Sequence, residues 1–581
     1  MALLNALVGT EIVEVSVRYG ILTNAARPDF TVHAPGNGGN VLRDYLSFGT
    51  IGHNHRLSGA QRAFRQAGAA ASDDRARLVA LGSRLFAMAW SAFPLNGPLA
   101  AELVRLSATF PNPAMTERSL RLARRLAKGA AAPAPTEPGE LFACQDFEGL
   151  RCFFEAEADR GVSLPLVGQA VQLQGLLSEW DWLIDFLERH VAPADPELAR
   201  LLLGDAYLAG GRFEQAVKTL EETVSLYGLS GWGLRLATAR VGAGDADGAK
   251  RLLGRVLKEF PDHVTALLNL DALAFPASRD GRLEGGCAVS IYSYDKAPEL
   301  RRTLESVLAS DLGPEVGEVT VRVLINGSAD DSLAVAEAAR ENFGGRMEIV
   351  SLPVNVGAPA ARNWLLDAAV SDGARWIAYL DDDVLVPSDW LAGLAAGTVE
   401  FPEAGVWGCR VADVRSPSLT QHGDGFLQAG EGSGAGRRIN LLEPCAECLI
   451  PELVAYRRYA ASVTGCCHLF KTGSLSRSGG FDLLFSPSQF DDLDLDLRRL
   501  GEGKPAAYLG DVSITHLRES NHFQTLSESA ALRSEQHRTI LEARHAPKLD
   551  RLIKTQSAVV RADLDARRAR LREAGLLSAD F

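Results

Sequence analysis

The sequence predicts two halves: an all-α helical-repeat half, followed by an α/β half built on a mainly parallel sheet. Two observations carry this prediction. A helical repeat with a 33-residue period occupies roughly residues 165–275, and beyond residue 283 apolar strand-like segments alternate with helical ones. Alternating strands and helices form parallel sheets that are covered by helices on both faces. Such sheets bind ligands beyond the carboxyl ends of their strands, so functional residues are expected there.

The N-terminal part of the chain is predicted to be mostly helical over residues 1–130, with no assigned role. Alanine, leucine and arginine dominate residues 58–126. The proline-rich residues 130–138 then indicate a domain edge, because proline cannot donate to a helix ladder and restricts the residue before it.

The repeat consists of three similar segments that begin at Glu179, Arg212 and Asp245. Gly211 and Gly244 lie at the predicted turns between the paired helices. The period resembles that of tetratricopeptide repeats, which are helix-turn-helix units of about 34 residues. The resemblance assigns residues 140–275 to such repeats and implies a concave surface that holds a peptide or a protein. A plain helical bundle is the alternative.

The α/β half is predicted to contain strands at 287–291, 319–325, 347–351 and 375–380, separated by helices. Each strand is followed by a polar cluster. These clusters are Tyr292–Lys296, Asn326–Asp331, Asn355–Asn363 and Asp381–Asp383. Because the carboxyl ends of parallel strands share one edge of the sheet, the four clusters should converge there.

The aspartate triplet Asp381–Asp383 suggests a cation site. Neighbouring carboxylates repel one another, and a hard divalent cation such as Mg²⁺ or Mn²⁺ relieves that repulsion. In an extended chain Asp381 and Asp383 would point to one side and Asp382 to the other. The alternative is a solvated acidic turn.

Six ordered motifs resemble those of family 2 glycosyltransferases, which have the GT-A fold, a Rossmann-like α/β architecture. The motifs are Val289–Ile291, Asn326–Ser328, Asn355–Gly357 with Arg362 and Asn363, Leu380–Asp383, Gly479–Asp482 with Asp491–Leu495, and Ile514–His516. The resemblance covers about residues 285–520 and defines a predicted GT-A domain over 283–525. A helical extension is predicted over 526–581.

The resemblance implies a role for individual residues. Those expected to bind the nucleotide-sugar are Tyr292, Tyr294, Asn326, Arg362, Asp381 and Asp382. Asp381 and Asp383, the acids of the DxD motif, and His516 are expected to hold the metal. Asp492 is expected to be the general base, with Asp491 beside it in the acidic pair. The sequence departs from the family in two places, since no acid accompanies Asn326 and Asp491 stands where Glu is commoner.

The resemblance therefore implies a metal-dependent, inverting glycosyltransferase that uses Mn²⁺ or Mg²⁺ and a nucleotide-sugar, expected to be a UDP-sugar. The repeats would dock a protein or peptide acceptor, or would mediate self-association into a homo-oligomer. One alternative is a catalytically degenerate scaffold that only binds nucleotide. Another is a nucleotidyltransferase, although Tyr292–Lys296 is a poor version of the glycine-rich phosphate loop that it would need.

Composition excludes other classes of protein. The net charge of −13 disfavours a nucleic-acid partner, which requires a basic face. No apolar run approaches the roughly 20 residues that span a bilayer, so no transmembrane segment is expected. The first residues lack the basic segment of a secretory signal, and eight cysteines in 581 residues are too sparse for a disulfide scaffold. The sequence thus predicts a cytoplasmic protein.

Overall fold

The computed structural model describes residues 53–70, 72–92, 94–109, 115–129, 135–278, 281–313, 316–429, 437–446, 448–518 and 528–578. The part of the predicted N-terminal region that precedes residue 53 lies outside these ranges. Among the described residues, no helix combines the length and the apolar character needed to cross a bilayer.

The first half is helical throughout its described residues. Its helices are α1 (His53–Ala69), α2 (Ser72–Ala92), α3 (Gly97–Thr109), α4 (Glu117–Gly129), α5 (Glu137–Ala143), α6 (Phe147–Arg160), α7 (Leu164–Leu176), α8 (Trp180–Phe186), α9 (Pro196–Ala209), α10 (Phe213–Tyr227), α11 (Gly233–Gly242), α12 (Ala246–Glu259) and α13 (Val264–Ala274). A π-helical turn, Leu187–Val191, and a short helical turn, Ala192–Ala194, continue α8.

The repeat appears as the antiparallel helix pairs α9–α10 and α11–α12. Gly211 and Gly244 stand between the paired helices with φ of 71° and 83°, a left-handed conformation that favours glycine. Ala216 and Ala249 are fully buried where the helices of each pair cross. Most of α11 is buried within the chain, with Trp232 against Trp90 at a ring separation of 6.4 Å.

The second half alternates strands and helices. Its elements are β1 (Cys287–Ser293), α14 (Ala297–Leu308), β2 (Val319–Asn326), α15 (Ser332–Asn342), β3 (Arg346–Leu352), α16 (Ala358–Ser371), β4 (Trp376–Leu380), β5 (Val384–Leu385), α17 (Trp390–Glu400), β6 (Val406–Asp413), β7 (Thr420–His422), β8 (Phe426–Ala429), β9 (Ile439–Leu442), β10 (Arg457–Ala460), β11 (Cys467–Lys471), α18 (Thr472–Arg477), α19 (Asp491–Gly501), β12 (Ala506–His516), α20 (Glu528–His545) and α21 (Leu549–Glu573). Short 3₁₀ helices occupy Pro451–Val454, Leu483–Phe485 and Ala546–Lys548.

The main sheet has the order β10-β12-β6-β11-β4-β1-β2-β3, with β5 on β12 and β7 on β6. Strands β4, β1, β2 and β3 are parallel, as are β6 and β12, so the predicted α/β class is confirmed. Strand β11 differs, because it is antiparallel to both β4 and β6. It joins the two parallel groups into one mixed sheet, which the alternation before residue 380 does not predict.

The two halves pack directly on each other. Trp180 donates its indole N–H to Ser418 Oγ at 3.2 Å, and Asn269 donates to the Leu453 carbonyl at 3.1 Å. Asp271 of α13 is only 1% exposed and contacts both Arg567 and Arg570 of α21. The C-terminal helix therefore bridges the repeats to the sheet domain.

Candidate functional site

The candidate site lies where the strand order reverses. Strand β1 stands between β2 and β4, and this reversal opens a crevice beyond their carboxyl ends. Tyr292 of β1 donates its hydroxyl to Asp381 Oδ1 at 3.3 Å. Arg362 of α16 donates to the same oxygen at 3.1 Å, and its guanidinium lies 5.1 Å from the Tyr292 ring centre. Residues from β1, β4 and α16 thus meet at one point.

Lys296 faces two of the three strand-end acids, a name used here for Asp381, Asp382 and Asp383. Its Nζ lies 3.1 Å from Asp382 Oδ1 and 2.7 Å from Asp383 Oδ2. The expectation that Asp382 points away from Asp383 is therefore wrong. Strand β4 ends at Leu380, and Asp382 and Asp383 form a turn, so the alternation of an extended chain does not continue through the triplet.

Burial and neighbouring charges shift the pKa values of Asp382 and Asp383 in this turn. Burial raises the pKa of Asp382 to about 6, although Lys296 opposes that shift. Burial acts in the same direction on Asp383, but the hydrogen bonds and charges of His516 and Lys296 hold the pKa of that carboxyl below its usual range. The two acids raise the pKa of Lys296 in spite of its own burial. The turn therefore carries its own counter-charge.

His516 stands at the end of β12, beside the aspartate turn. Its Nε2 lies 3.2 Å from Asp383 Oδ1, because β12 pairs with β5 immediately after that turn. Carboxylates together with an imidazole form a donor set that suits Mn²⁺ and related divalent cations. His516 therefore contacts Asp383, but among the described residues the potential ligand atoms that lie within 4.8 Å of one another belong to Asp381, Cys466 and His516, and Asp383 is outside that group.

Helix α19 brings a second acidic group to the crevice, called here the helix acids: Asp491, Asp492, Asp494 and Asp496. Gln489 and Phe490 precede the helix with φ of 82° and 68°, an uncommon conformation for residues other than glycine. Asp491 is buried and pairs with Arg362 Nη1 at 2.5 Å. Burial raises the pKa of Asp491, and the charge of Arg362 opposes that rise.

Asp492 is the helix acid that is not buried. Its Oδ2 accepts the Gly465 N–H at 2.8 Å, and its Oδ1 accepts the N–H of Leu493 at 2.8 Å. A Cβ on Gly465 would lie 3.1 Å from Asp492 Oδ2 and 3.0 Å from Arg362 Nη2. Glycine at this position leaves room for both side chains.

The other two helix acids anchor α19. Asp494 accepts from Arg498 and Arg544 at 2.9 Å each and from His545 at 2.8 Å. Asp496 accepts the Ser462 hydroxyl at 2.8 Å and the Val463 N–H at 3.0 Å.

Asn326 and Tyr294 lie farther along the crevice edge. The Asn326 amide donates to Asn355 Oδ1 and accepts the Val356 N–H, each at 3.0 Å, which shapes the loop after β3. Tyr294 is 46% exposed beyond the end of β1.

Lys296, Gly465 and Cys466 were not predicted to belong to the site. Lys296 lies in the polar cluster after β1, so its position was a signal for it. Gly465 and Cys466 precede the antiparallel strand β11, and nothing in the strand-helix alternation pointed to them.

The reversed strand order and the two facing acidic groups define an α/β domain with a candidate ligand site at its switch point. Residues 288–463 match the family described as glycosyl transferase family 2, and residues 198–230 and 233–263 match the tetratricopeptide repeat. The second half therefore carries the match to family 2 glycosyltransferases, and the segment before it carries the match to tetratricopeptide repeats, as the sequence motifs indicated.

Three solved structures illustrate the similarity. The structure of GalNAc-T7 with UDP, GalNAc and Mn²⁺ is 12% identical, with 42% of this chain and 46% of that chain covered at a TM-score of 0.32. TarS 1-349 from S. aureus with UDP-GlcNAc is 17% identical, with 42% and 61% covered at 0.30. The mannosyltransferase PcManGT from Pyrobaculum calidifontis with GDP-Man and Mn²⁺ is 16% identical, with 57% and 88% covered at 0.32.

The match to GalNAc-T7 thus spans about half of that protein's length. A search of curated proteins finds no match to this chain.

Proposed function

We propose that this chain is a metal-dependent, inverting glycosyltransferase that moves a sugar from a nucleotide-sugar to an acceptor hydroxyl. A UDP-sugar is the expected donor. One observation carries the proposal: two acidic groups flank one crevice, and only Asp492 among the helix acids is left unburied beside it. The family 2 match over residues 288–463 supports the class of reaction.

On the donor side, Asp381, Asp383 and His516 would hold Mn²⁺ or Mg²⁺. When bound, the cation stabilises the negative charge of the leaving nucleoside diphosphate. Lys296 keeps Asp382 and Asp383 oriented by facing both carboxylates. Tyr292 and Arg362 orient Asp381 by donating to its Oδ1. Tyr294 is proposed to contact the nucleotide base at the outer edge. Asn326, expected to do the same, is buried with its amide bonded to Asn355 and Val356, so it would act by holding the loop after β3.

On the acceptor side, Asp492 is proposed to take the proton from the attacking hydroxyl. The N–H groups of Gly465 and Leu493 fix its two oxygens. General-base assistance of this kind is worth about 10²–10⁴-fold in rate. Asp491 is a positioning residue, because its buried carboxylate is already paired with Arg362. Attack from the face opposite the leaving diphosphate inverts the anomeric centre.

The repeats are proposed to dock a protein or peptide acceptor. In this division of labour, residues 140–275 bind the acceptor, 283–525 transfer the sugar, and 526–581 join the two. The outer face of α10 is available for docking, since Glu214, Lys218 and Glu221 are exposed. The double charge reversal E214K/E221K should raise KM for a protein acceptor and leave donor hydrolysis unchanged. An unchanged KM would remove the docking role of this face.

Donor turnover is the direct test of the enzyme. The full-length protein is incubated with individual UDP-sugars and Mn²⁺, and release of UDP is measured. Slow release without acceptor is expected, because water can replace the acceptor hydroxyl. Nucleotide binding without release under any condition would favour the scaffold alternative, and neither binding nor release would reject both.

A further inference from the structure

Three donor atoms of different chemistry meet at the end of β4. Single ligand atoms of Asp381, Cys466 and His516 all lie within 4.8 Å of one another. Cys466 is fixed beside Asp381, because its carbonyl accepts the Asp381 N–H at 3.1 Å. Its side chain is almost entirely enclosed, with 6% exposed. A thiol therefore stands among the groups that were expected to offer only oxygen and nitrogen to a metal.

The hydrogen bonds around His516 leave the lone pair of Nε2 directed at Asp383, beside this cluster. The Gln421 amide nitrogen donates to Asp413 Oδ2 at 2.7 Å and to the Arg518 carbonyl at 3.0 Å, so its Oε1 must be the acceptor. This Oε1 lies 3.0 Å from His516 Nδ1, which therefore carries the proton. In the neutral ring Nε2 is then an acceptor, and it faces Asp383 Oδ1 at 3.2 Å.

We propose that Cys466 is a further ligand of the cation at this site, beside Asp381 and His516, so that a thiophilic divalent cation such as Zn²⁺ or Co²⁺ binds there more tightly than Mg²⁺. Thiolate and imidazole ligands favour these ions, whereas Mg²⁺ requires oxygen ligands. This inference rests on the proposed function, because it names the metal class of the same site. Gln421 acts as the outer partner that fixes the imidazole ring.

Binding requires a small adjustment and one proton transfer. Bond lengths of about 2.0–2.3 Å place the ligands of a tetrahedral ion roughly 3.4–3.8 Å apart, so the cluster must contract by about 1 Å. Burial, with the charge of Asp381 next, raises the pKa of the Cys466 thiol. This rise keeps the thiol protonated until the metal binds. On binding, the S–H bond breaks, the proton passes to solvent, and a sulfur electron pair forms the bond to the metal.

Cobalt spectroscopy tests the proposal on the full chain. The starting protein for this experiment, called here the parent protein, is the full chain with Cys144→Ser and Cys152→Ser, because these substitutions remove the exposed thiols. Titration with Co²⁺ should produce a sulfur-to-cobalt charge-transfer band that saturates at one equivalent. Cys466→Ser should abolish the band and weaken Co²⁺ binding at least as much as loss of an outer-shell partner, roughly 10–100-fold. Cys467→Ser is the matched control and should keep the band, since that thiol contacts Cys409 instead.

Two results would overturn the inference: no charge-transfer band in the parent protein, or an unchanged band in Cys466→Ser. The parent titration decides the matter even if the variant fails to fold. UDP binding is measured separately in the parent protein with Mg²⁺ and with Co²⁺. UDP binding without a sulfur band rejects the thiolate ligand and leaves the proposed function standing. A sulfur band without nucleotide binding under any condition supports the ligand and rejects the function.

Discussion

The strand-end acids and the helix acids face the same crevice, yet their neighbours differ. Among the strand-end acids, Asp382 and Asp383 face Lys296, and Asp383 also faces His516. Within the described residues, only Asp381 of this group is paired with an arginine, Arg362. Among the helix acids, Asp491 and Asp494 are held by arginines, which stay charged. The comparison shows how similar clusters of carboxylates can serve different purposes. A bound cation would replace the lysine charge beside Asp382 and Asp383. In contrast, three of the four helix acids are buried, and only Asp492 is not.

The largest expected effect is on the single unburied helix acid. Asp492→Asn keeps the size of the side chain and removes the base, so kcat should fall about 10²–10⁴-fold while UDP affinity stays within a factor of two to three. Steady-state kinetics and calorimetry with UDP measure the two quantities. Asp367→Asn, on the exposed face of α16, is the matched control. A comparable loss of UDP affinity in Asp492→Asn would place this residue on the donor side and break the comparison.

The next largest effect is expected from Arg362, which contacts Asp381 of the strand-end acids and Asp491 of the helix acids. Arg362→Met leaves the buried carboxylate of Asp491 without its partner, which should lower the free energy of unfolding by about 3–5 kcal/mol. Denaturant unfolding measures this change. Arg322→Met is the control, because Arg322 is also buried but pairs with Glu348 and Asp372 away from the crevice. Only Arg362→Met should also weaken nucleotide binding, and equal binding by both variants would contradict its place in the site.

A smaller change is expected at Lys296. Lys296→Met leaves Asp382 and Asp383 without the lysine charge and should lower the free energy of unfolding by about 1–3 kcal/mol. Because a divalent cation can replace that charge, millimolar Mn²⁺ should recover most of the loss. Thermal unfolding with and without Mn²⁺ provides the measurement. If Mn²⁺ does not restore the stability lost in Lys296→Met, a divalent cation cannot replace the charge of Lys296 at the strand-end acids.

The smallest effect is on acid stability. Burial alone would raise the pKa of Asp494, but the hydrogen bonds and charges of His545 and Arg498 lower it. The unfolded chain therefore binds more protons than the folded one below about pH 3.8. This stabilisation is complete above that pH and is lost as the pH falls toward the lower folded pKa, at no more than about 1.4 kcal/mol per pH unit.

Asp494→Asn should flatten that part of the pH dependence. Unfolding by denaturant from about pH 5 down to about pH 2 compares the variant with the unsubstituted chain. Asp565→Asn changes an exposed acid, 75% of whose side chain is accessible, and should leave the slope unaltered. Identical slopes in the Asp494→Asn variant and the unsubstituted chain would show that this helix acid is not held as its contacts indicate.

Local patterns in the sequence were sufficient to predict the parallel strands β1 to β4. Apolar strands followed by polar clusters identified the edge that carries Tyr292, Asp381 and Asp383. The period of 33 residues located Gly211 and Gly244 at helix turns, where their positive φ values are found. These features depend on neighbours in the sequence, which is why a single sequence reveals them.

Contacts between distant segments could not be predicted in this way. Lys296 reaches Asp382 and Asp383 across 86 and 87 positions of the chain, and the reach of its side chain has no sequence signature. Cys466 joins the site because β11 enters the sheet antiparallel beside β4. An extended chain would point Asp382 away from Asp381 and Asp383. The strand ends at Leu380, however, so Asp382 and Asp383 lie in a turn and both face Lys296.

The buried carboxylate of Asp271 also has a consequence for the order of folding during synthesis. Its arginine partners lie 296 and 299 positions later, in α21. While the ribosome is still making the sheet domain, the carboxylate of Asp271 is present in α13, but its partners Arg567 and Arg570 have not yet been synthesised. The repeats can form early, but their final docking must wait for α21, the last described helix to be synthesised. A nascent chain stalled before α21 would therefore expose this seam to chaperones and proteases.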